Sequence, residues 1–474
     1  MSFGTLFCFI MVLQKLIIHN FKMEAQSLYH RGQNYEIDDM GISILPGGVY
    51  STDTYFNSFS VGKWARYGNL SDISLSLCIK GSFQIRIFQT KSDRRISTIR
   101  LLKNEFFDCE ELTEYEFELP IAPNGVFWYE IEAVEREVTL IASSYFTRNC
   151  VERDIKLAIN ICTFRREEFL FRNIELIRAN ILDNPQSELY EKVHIFITDN
   201  AGTVLPGFFD HRNIHLEHNE NSGGSGGFTK GLKEIIDIQK EENFTHTIFM
   251  DDDVEIEIEA LLRTYRLLKI LDDKYRHYFL AGAMLRLDNP MIQHENGALW
   301  NGGKCRFIGR GVNLSDFSEV VRNEAEFKRD YAAWWFCCIS MDFVRTDNLP
   351  LPLFIHQDDV EYSLRNAEGI LSMNGIGIWH EVKGKSHAVT PLRYYNLRNK
   401  LIVNKLYGYR FGQMLSYAEY LYGILTGILR KRGEKVKLLK LAVKDYRDGV
   451  VFNEDYDSAK KNEELNRLCE ECVK

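Results

Sequence analysis

No apolar run in this 474-residue chain is long enough to cross a bilayer as a helix, which takes ~20 residues. The segment from Met1 to Leu13 is apolar for only about a dozen residues, short of that length. It also lacks a basic leading segment and a small-residue cleavage site. No signal peptide is therefore expected, and a start at Met11 or Met23 is an alternative. A disulfide framework is missing as well. The ten cysteines are scattered, with Cys337 and Cys338 adjacent, so reduced cytoplasm is the default compartment. Cys469 and Cys472 form one C-x-x-C without a second pair, weak grounds for zinc. Basic charge is not in excess. The net charge of -9 opposes a global grip on nucleic acid, and no such partner is expected. One stretch departs from that average: from Arg430 to Lys444, seven basic residues are opposed only by Glu434. Low-complexity tracts and internal repeats are also lacking, so each part of the chain needs its own reading.

What is present is ordinary for a folded protein, 45% hydrophobic and 26% charged, enough to bury a substantial core. The length exceeds what one core usually serves, so two or three domains are expected. Between Gly41 and Phe146 short runs alternate, as in Phe83, Ile85 and Ile87, or Tyr115, Phe117 and Leu119 before Pro120. That period of two predicts antiparallel strands of a β-sandwich with Trp64, Tyr67 and Trp128 in its core. After Cys150 the spacing predicts strands over Lys156–Cys162, Val193–Thr198 and Thr245–Met250, and helices over Glu167–Leu182 and Gly226–Glu242. Alternation of this kind implies βαβ units and a largely parallel sheet, with ligands beyond the carboxyl ends of its strands. Thr163–Arg166, Asp199-Asn200 and Asp251–Asp253 fall there. From Pro391 the chain reads helical. Phe411–Leu429 is rich in aromatic and aliphatic residues, but Gly412, Gly423, Gly427, Gln413 and Glu419 count against a membrane span. A helix packed on the preceding domain is expected, and an interfacial helix facing anionic lipid is the alternative.

Three carboxylates, Asp251, Asp252 and Asp253, directly follow an apolar strand. Their repulsion costs stability unless a cation neutralises them, and Mg²⁺ or Mn²⁺ suits such oxygen ligands. A D-x-D array on one cation can tie it to a diphosphate. Capping of the helix starting near Glu257 is the plainer alternative, but a cap needs one carboxylate. A second acidic pair, Asp358-Asp359, opens another helix. Asp358 with Glu361 fits a capping box, which leaves Asp359 as the better candidate base. His380 follows a short apolar run, and a lone histidine in that position is usually structural. Asn221-Ser-Gly-Gly-Ser-Gly-Gly227 matches neither the dinucleotide fingerprint nor the P-loop, so phosphate binding by it is a weak claim. Trp334 and Trp335 are expected on opposite faces of a strand, one in the core and one serving as a sugar platform.

Taken in order, Thr52-Asp-Thr-Tyr-Phe-Asn-Ser-Phe with Trp64, the Asn221 glycine turn, Phe-Met-Asp-Asp-Asp, Trp334-Trp335, Pro-Leu-Phe-Ile-x-x-Asp-Asp and Ile-Trp-His380 resemble the family-2 inverting glycosyltransferases. More narrowly, they resemble bacterial galactofuranosyltransferases of the mycobacterial galactan-polymerase type. Each motif is generic; the ordered set is specific. The resemblance implies an α/β GT-A catalytic domain over 151–390, an N-terminal antiparallel β-sandwich over 1–150, with 1–22 as an extension, and a C-terminal helical region over 391–474. It implies Asp253 and His380 as ligands of Mn²⁺ or Mg²⁺ and Asp359 as general base. Arg166, Asn200, Asn221, Asp251 and Asp252 would bind the donor, with Asp252 otherwise only shaping the turn. Glu295, Trp334, Trp335 and Asp358 would line the sugar and acceptor pocket. Two departures stand out: His356-Gln357 replaces a lysine and a tryptophan of mycobacterial members, and Asn396 stands near their histidine. Both lie toward the acceptor, and so bear on polymerisation, linkage and sugar identity.

The expected reaction is transfer from a UDP-sugar, with UDP-galactofuranose ahead of UDP-galactose or UDP-glucose, onto a lipid-linked or polysaccharide acceptor in cell-surface glycan synthesis. The expected place is the cytoplasm, peripheral on the inner face of the cell membrane against anionic lipid, with homo-oligomers an open option. Two other readings remain. A nucleotidyltransferase would want a basic glycine-rich loop where Thr163-Phe-Arg165-Arg166-Glu167-Glu168 stands. A non-catalytic carbohydrate-binding protein sits poorly with intact carboxylate motifs.

Overall fold

The computed structural model describes residues 10–19, 22–93, 96–382 and 390–470. The extreme N-terminal apolar residues 1–9 and Cys472 of the C-x-x-C pair lie outside them. The first part is antiparallel β-structure: β1 (Met11–Lys15), β2 (Arg31–Asp38), β3 (Gly41–Ser51), β4 (Ile73–Asp93), β5 (Ile96–Leu119), β6 (Val126–Ala133) and β7 (Val138–Thr147). β4 pairs with β7 through Ser74–Lys80 and with β6 through Phe83–Thr90. β3 also pairs with both β6 and β7, so the four strands close a cycle. The change of partner on β4 happens at Gly81, whose φ is +121° and where a Cβ would lie 2.5 Å from the Glu137 carbonyl oxygen. Only glycine tolerates both conditions. Phe83, Ile85 and Ile87 alternate inward and are fully buried, as is Trp64 on α1 (Val61–Gly68); Tyr67 and Trp128 are buried too.

The central part is a mixed α/β layer. Its sheet runs β10-β9-β8-β11-β18-β13-β19. β8 (Leu157–Thr163), β9 (Val193–Asp199), β10 (Ile214–His218) and β11 (His246–Asp251) are mutually parallel. A small second sheet holds β12 (Glu255–Ile256), β14 (Ala283–Arg286), β15 (Gln293–Glu295) and β20 (Gly377–His380), and β16 (Ala298–Trp300) pairs with β17 (Cys305–Phe307). β13 (Tyr278–Ala281), β18 (Phe336–Ser340) and β19 (Gly369–Leu371) complete the large sheet. The helix expected over Glu167–Leu182 is α2 (Glu167–Ile177) closed by a single π-turn. α3 (Gly223–Glu242) starts three residues earlier than its hydrophobic pattern announces, because its glycines already take helical positions against the sheet. A Cβ on Gly227 would lie 2.2 Å from Cys162 Sγ, and one on Gly231 2.1 Å from Asn160 Oδ1. The glycine turn is therefore a packing device, which brings α3 down onto β8.

The two parts are welded by buried polar groups and rings. Phe56, from the Thr52–Phe59 motif, stacks on Tyr29 with centroids 4.4 Å apart and meets Trp379 of β20 at 5.7 Å. Tyr29 donates to Glu257 at 2.9 Å, and Lys22 reaches Glu255 at 2.5 Å. On α4 (Ile258–Ile270), fully buried Arg266 pairs with Glu259 at 2.6 Å and Glu188 at 2.8 Å. The Glu259 carboxylate also accepts the backbone N–H of Lys15 on β1.

α7 (Leu392–Leu406), α8 (Arg410–Leu429), α9 (Gly433–Asp448) and α10 (Ser458–Glu470) form the helical remainder. α8 packs inward through Gly412, Ser416, Gly423 and Gly427. Its opposite face leaves Phe411, Met414, Leu421, Tyr422, Leu425 and Leu429 exposed. Among the described residues no helix is long and apolar enough to cross a membrane.

Removing one partner of a buried ion pair strands the other charge, at a cost of about 3–5 kcal/mol. Arg266→Ala should therefore lower the unfolding free energy measured by urea titration by that order, while Arg345→Ala, in an exposed pair with Asp347, should change it by under about 1 kcal/mol.

Candidate active site

The carboxyl ends of β8, β9 and β11 open into a cavity of about 850 Å³. Arg166, Asn200, Asn221, Asp251, Asp252, Asp253, Trp334, Trp335, Asp358, Asp359 and His380 all line it. Glu295 does not line it. It is fully buried on β15 with neither carboxylate oxygen hydrogen-bonded. Burial and the nearby Asp359 charge hold its carboxyl well above the usual range.

Asp251, Asp253 and His380 each offer one ligand atom, and these atoms lie within 4.8 Å of one another. His380 Nε2 is 2.9 Å from Asp253 and 3.4 Å from Asp251. The other ring nitrogen, Nδ1, lies 2.7 Å from the Glu381 carbonyl oxygen and donates to it. That bond leaves Nε2 as the lone-pair nitrogen of the neutral ring, the form a cation needs. Two carboxylates and one imidazole, converging on one point with the tautomer fixed, suit a divalent cation. With only protons present the same two aspartates push the His380 pKa up to about 10, although burial alone would lower it. Arg166 sits 3.3 Å from Asp253, placing a fixed positive charge beside the cluster.

Asp252 divides from its neighbours. Its carboxylate accepts the Phe164 N–H at 3.3 Å, and the Asn173 amide holds the Asp252 and Val254 carbonyls at 3.2 and 2.8 Å. Burial, then the flanking Asp251 and Asp253 charges, push its pKa up to about 7. The run does not cap α4, whose cap position is Glu257. At the end of β9, buried Asp199 accepts the N–H groups of Ala201, Thr203 and Val204 at 2.7–2.8 Å and so folds the loop that follows. Asn200 then donates to the Gly223 carbonyl at 2.9 Å, tying that loop to the start of α3. Asn221 Oδ1 accepts the Gly223 N–H at 3.2 Å.

Asp358 and Asp359 open α6 (Asp358–Asn366). The expected capping box is not formed. The cap position is Gln357, in the left-handed region with no side-chain cap, and Asp358 is already helical. Glu361 turns away, toward Arg365 at 3.0 Å and the Tyr407 hydroxyl at 2.9 Å. The chain reaches this point through Phe354, His356 and Gln357, all at φ between 62° and 75°, a strained approach for non-glycine residues. Both aspartate pKa values are raised, chiefly by burial, and Asp359 is raised further by the charge of Asp358. Asp359 Oδ1 accepts the Val360 N–H at 2.7 Å.

The paired tryptophans do not lie on a strand. They occupy the turn just before β18. Their roles still differ: Trp334 is buried and stacks on Phe249 at 4.7 Å, while Trp335 is half-buried and faces the His380 ring at 6.1 Å. Asn396 is half-buried on α7 and outside the cavity lining, whereas His356 and Gln357 are part of it. Sequence reading also missed Cys305 and Phe307 on β17, Tyr331, and Asn462 and Asn466 on α10. Nothing local marks them, since tertiary packing alone brings them to the cavity.

Residues 21–148 match the family described as Galactofuranosyltransferase 2 N-terminal. Over 395 residues the chain is 26% identical to the galactofuranosyltransferase GlfT2 of Mycolicibacterium smegmatis, covering 77% of this chain and 59% of that protein. The GlfT2 of Mycobacterium tuberculosis is 24% identical over 380 residues, 74% of this chain and 57% of the relative. The match thus spans less than two thirds of the relatives' length. A solved mannosyltransferase of Pyrobaculum calidifontis, in complex with GDP-Man and Mn²⁺, aligns at 10% identity with a TM-score of 0.32, over 68% of this chain and 86% of that one.

The raised His380 pKa carries a sign that can be measured. In metal-free protein its contribution to stability should be full below pH 6.5 and fade as pH rises through about 10, because the folded state holds the proton more tightly than the unfolded one. The destabilisation caused by His380→Ala should follow that window in urea titrations. At neutral pH, Mn²⁺ should displace the proton, seen as buffer-dependent heat in calorimetry.

Proposed function

We propose that this chain is a metal-dependent inverting glycosyltransferase that moves galactofuranose from UDP-galactofuranose onto a lipid-linked or polysaccharide acceptor in cell-surface glycan synthesis. The proposed architecture is GT-A, carrying an N-terminal β-sandwich whose layers are joined through β4. One observation carries the reading: the Asp251, Asp253 and His380 cluster shares a cavity with a half-buried carboxylate pair, Asp358-Asp359. Similarity to galactofuranosyltransferases over about three quarters of the chain supports the choice of sugar, with UDP-galactose and UDP-glucose as competing donors.

In this reading Arg166 and Asn200 hold the nucleotide, Asp251 contacts it, and Asp253 with His380 holds the cation. An imidazole in the set favours Mn²⁺ over Mg²⁺, which prefers oxygen ligands alone. When bound, the cation would neutralise the diphosphate and stabilise its departure. Arg166 adds charge to the same end. Asp359 takes the proton of the attacking hydroxyl, and the charge of Asp358 beside it makes it the stronger base of the pair. Trp335 offers a ring face to the sugar. One carboxylate acting in a single displacement fits inversion at the sugar carbon.

The proposed position is peripheral on the inner face of the cell membrane. The apolar outer stripe of α8 recurs at three- and four-residue spacing and is exposed along the helix, and Arg430, Lys431, Lys437 and Lys440 are exposed at its end and on the start of α9. That combination suits a helix lying in the headgroup region of an anionic bilayer.

A donor screen reading UDP release with Mn²⁺ and a galactosyl lipid acceptor tests the reaction. UDP-galactofuranose should be preferred, EDTA should abolish release, and Asp359→Asn should reduce it by about 100- to 10,000-fold. Absence of release with every donor would overturn the reading. The acid limb of the rate profile should move to lower pH in Asp358→Asn, because the Asp358 charge raises the Asp359 pKa. Replacing Leu421 and Leu425 together by Asp should weaken sedimentation with anionic vesicles by about tenfold or more, and added salt should weaken it further in the wild type.

A further inference from the structure

We infer that the last helix, α10, forms one wall of the acceptor subsite and that Asn462 and Asn466 hydrogen-bond the hydroxyls of the acceptor saccharide; this rests on the transferase reading. The two asparagines stand four positions apart, one helical turn, so they share a face. That face lines the cavity that also holds Asp359 and His380. α10 has no part in the strand-end motifs; it arrives from the far end of the sequence and is fixed by other contacts. Leu465 is fully buried, and Lys461 pairs with the buried Asp445 at 2.8 Å.

Its contacts tie it both to the start of α3 and to the loop that carries the acidic pair. The Ser458 hydroxyl reaches the Ser222 carbonyl at 3.5 Å, at the mouth of the glycine turn. The Tyr395 hydroxyl donates to Asn462 Oδ1 at 3.3 Å, and the same Tyr395 ring stacks on Phe354 at 4.7 Å. Phe354 begins the strained approach to Asp358-Asp359. α10 is therefore coupled to the loop that delivers the base, and the hydroxyl that attacks has to reach that base. Uridine and diphosphate are assigned to Arg166, Asn200, Asn221 and Asp251, none of them on α10.

The chemistry fits a sugar rather than an anion. A carboxamide offers two donors and an acceptor with no net charge, which matches the mixed donor and acceptor character of vicinal hydroxyls. With the Asn462 oxygen engaged by Tyr395, its NH₂ group is left to donate. Asn466 is exposed and makes no side-chain hydrogen bond among the described residues, so it is available to a ligand without first breaking a structural contact.

Binding measured without turnover separates this inference from the reaction itself. Trp335 in the cavity provides a fluorescence signal for titration of the 474-residue chain, in EDTA, with the galactosyl lipid acceptor and separately with UDP. Asn466→Ala should weaken acceptor binding about 3- to 10-fold, the range of one or two net hydrogen bonds. Asn462→Ala should do the same, UDP binding should not change, and the Asn466→Ala melting temperature should match that of wild type. Unchanged acceptor affinity in both variants, a loss confined to UDP, or no acceptor binding by the wild type would each overturn the inference. Failure of the wild type to release UDP from any donor would strike the transferase reading instead, and these binding outcomes would still decide the role of α10.

Discussion

Like charges have to be brought together at the end of β11, and much of the surrounding structure exists to make that tolerable. Asp251 and Asp253 converge on His380, which comes from β20 in a different sheet. β12, which begins four residues after Asp251, pairs directly with β20, so the turn that leaves the acidic run also fixes the strand that returns the histidine. Trp379, one residue before His380, rests on Phe56 from the N-terminal part. The cluster is thus the point where two sheets and the β-domain meet, and none of these elements could shift without moving a ligand atom.

That dependence explains which features could be seen in the sequence. The aspartate run was legible because three acids in a row after an apolar strand are unusual by themselves. The parallel sheet was legible from alternating strand and helix patterns, to within a residue or two at β8, β9 and β11. His380 was ambiguous until placed beside the acids, because its value lies in convergence with residues about 130 positions earlier. The glycine turn matched no phosphate-binding pattern, and its composition alone did not say what its glycines are for. Yet Gly227 and Gly231 are needed to let α3 approach Cys162 and Asn160, and the sequence does not distinguish close packing from close binding. The capping pattern at Asp358 failed for a related reason. The spacing was right, but the left-handed entry through Gln357 shifted the helix start by one residue and released Glu361 to Arg365 and Tyr407.

The electrostatic balance is equally local. A chain that is acidic overall keeps Arg166 beside its densest acidic cluster and gathers exposed lysines around the end of α8. Anionic groups would therefore be met at two places and discouraged elsewhere. Polar contacts deep in the interface, such as Arg266 with Glu188 and Glu259, are paired within the protein and leave those charges no role toward ligands.

The loop before α6 holds Phe354, His356 and Gln357 in left-handed conformations that glycine would adopt freely. Each costs on the order of 1–3 kcal/mol, so together they approach the net stability of a small domain. The fold keeps a reserve of conformational energy beside the acidic pair at the start of α6. Glycine at Gln357, whose side chain makes no cap bond, would relieve that strain while loosening the aim of the neighbouring acid, whereas glycine at Phe354 would forfeit its stacking on Tyr395. At this loop durability and precision pull in opposite directions, and the residues present favour precision.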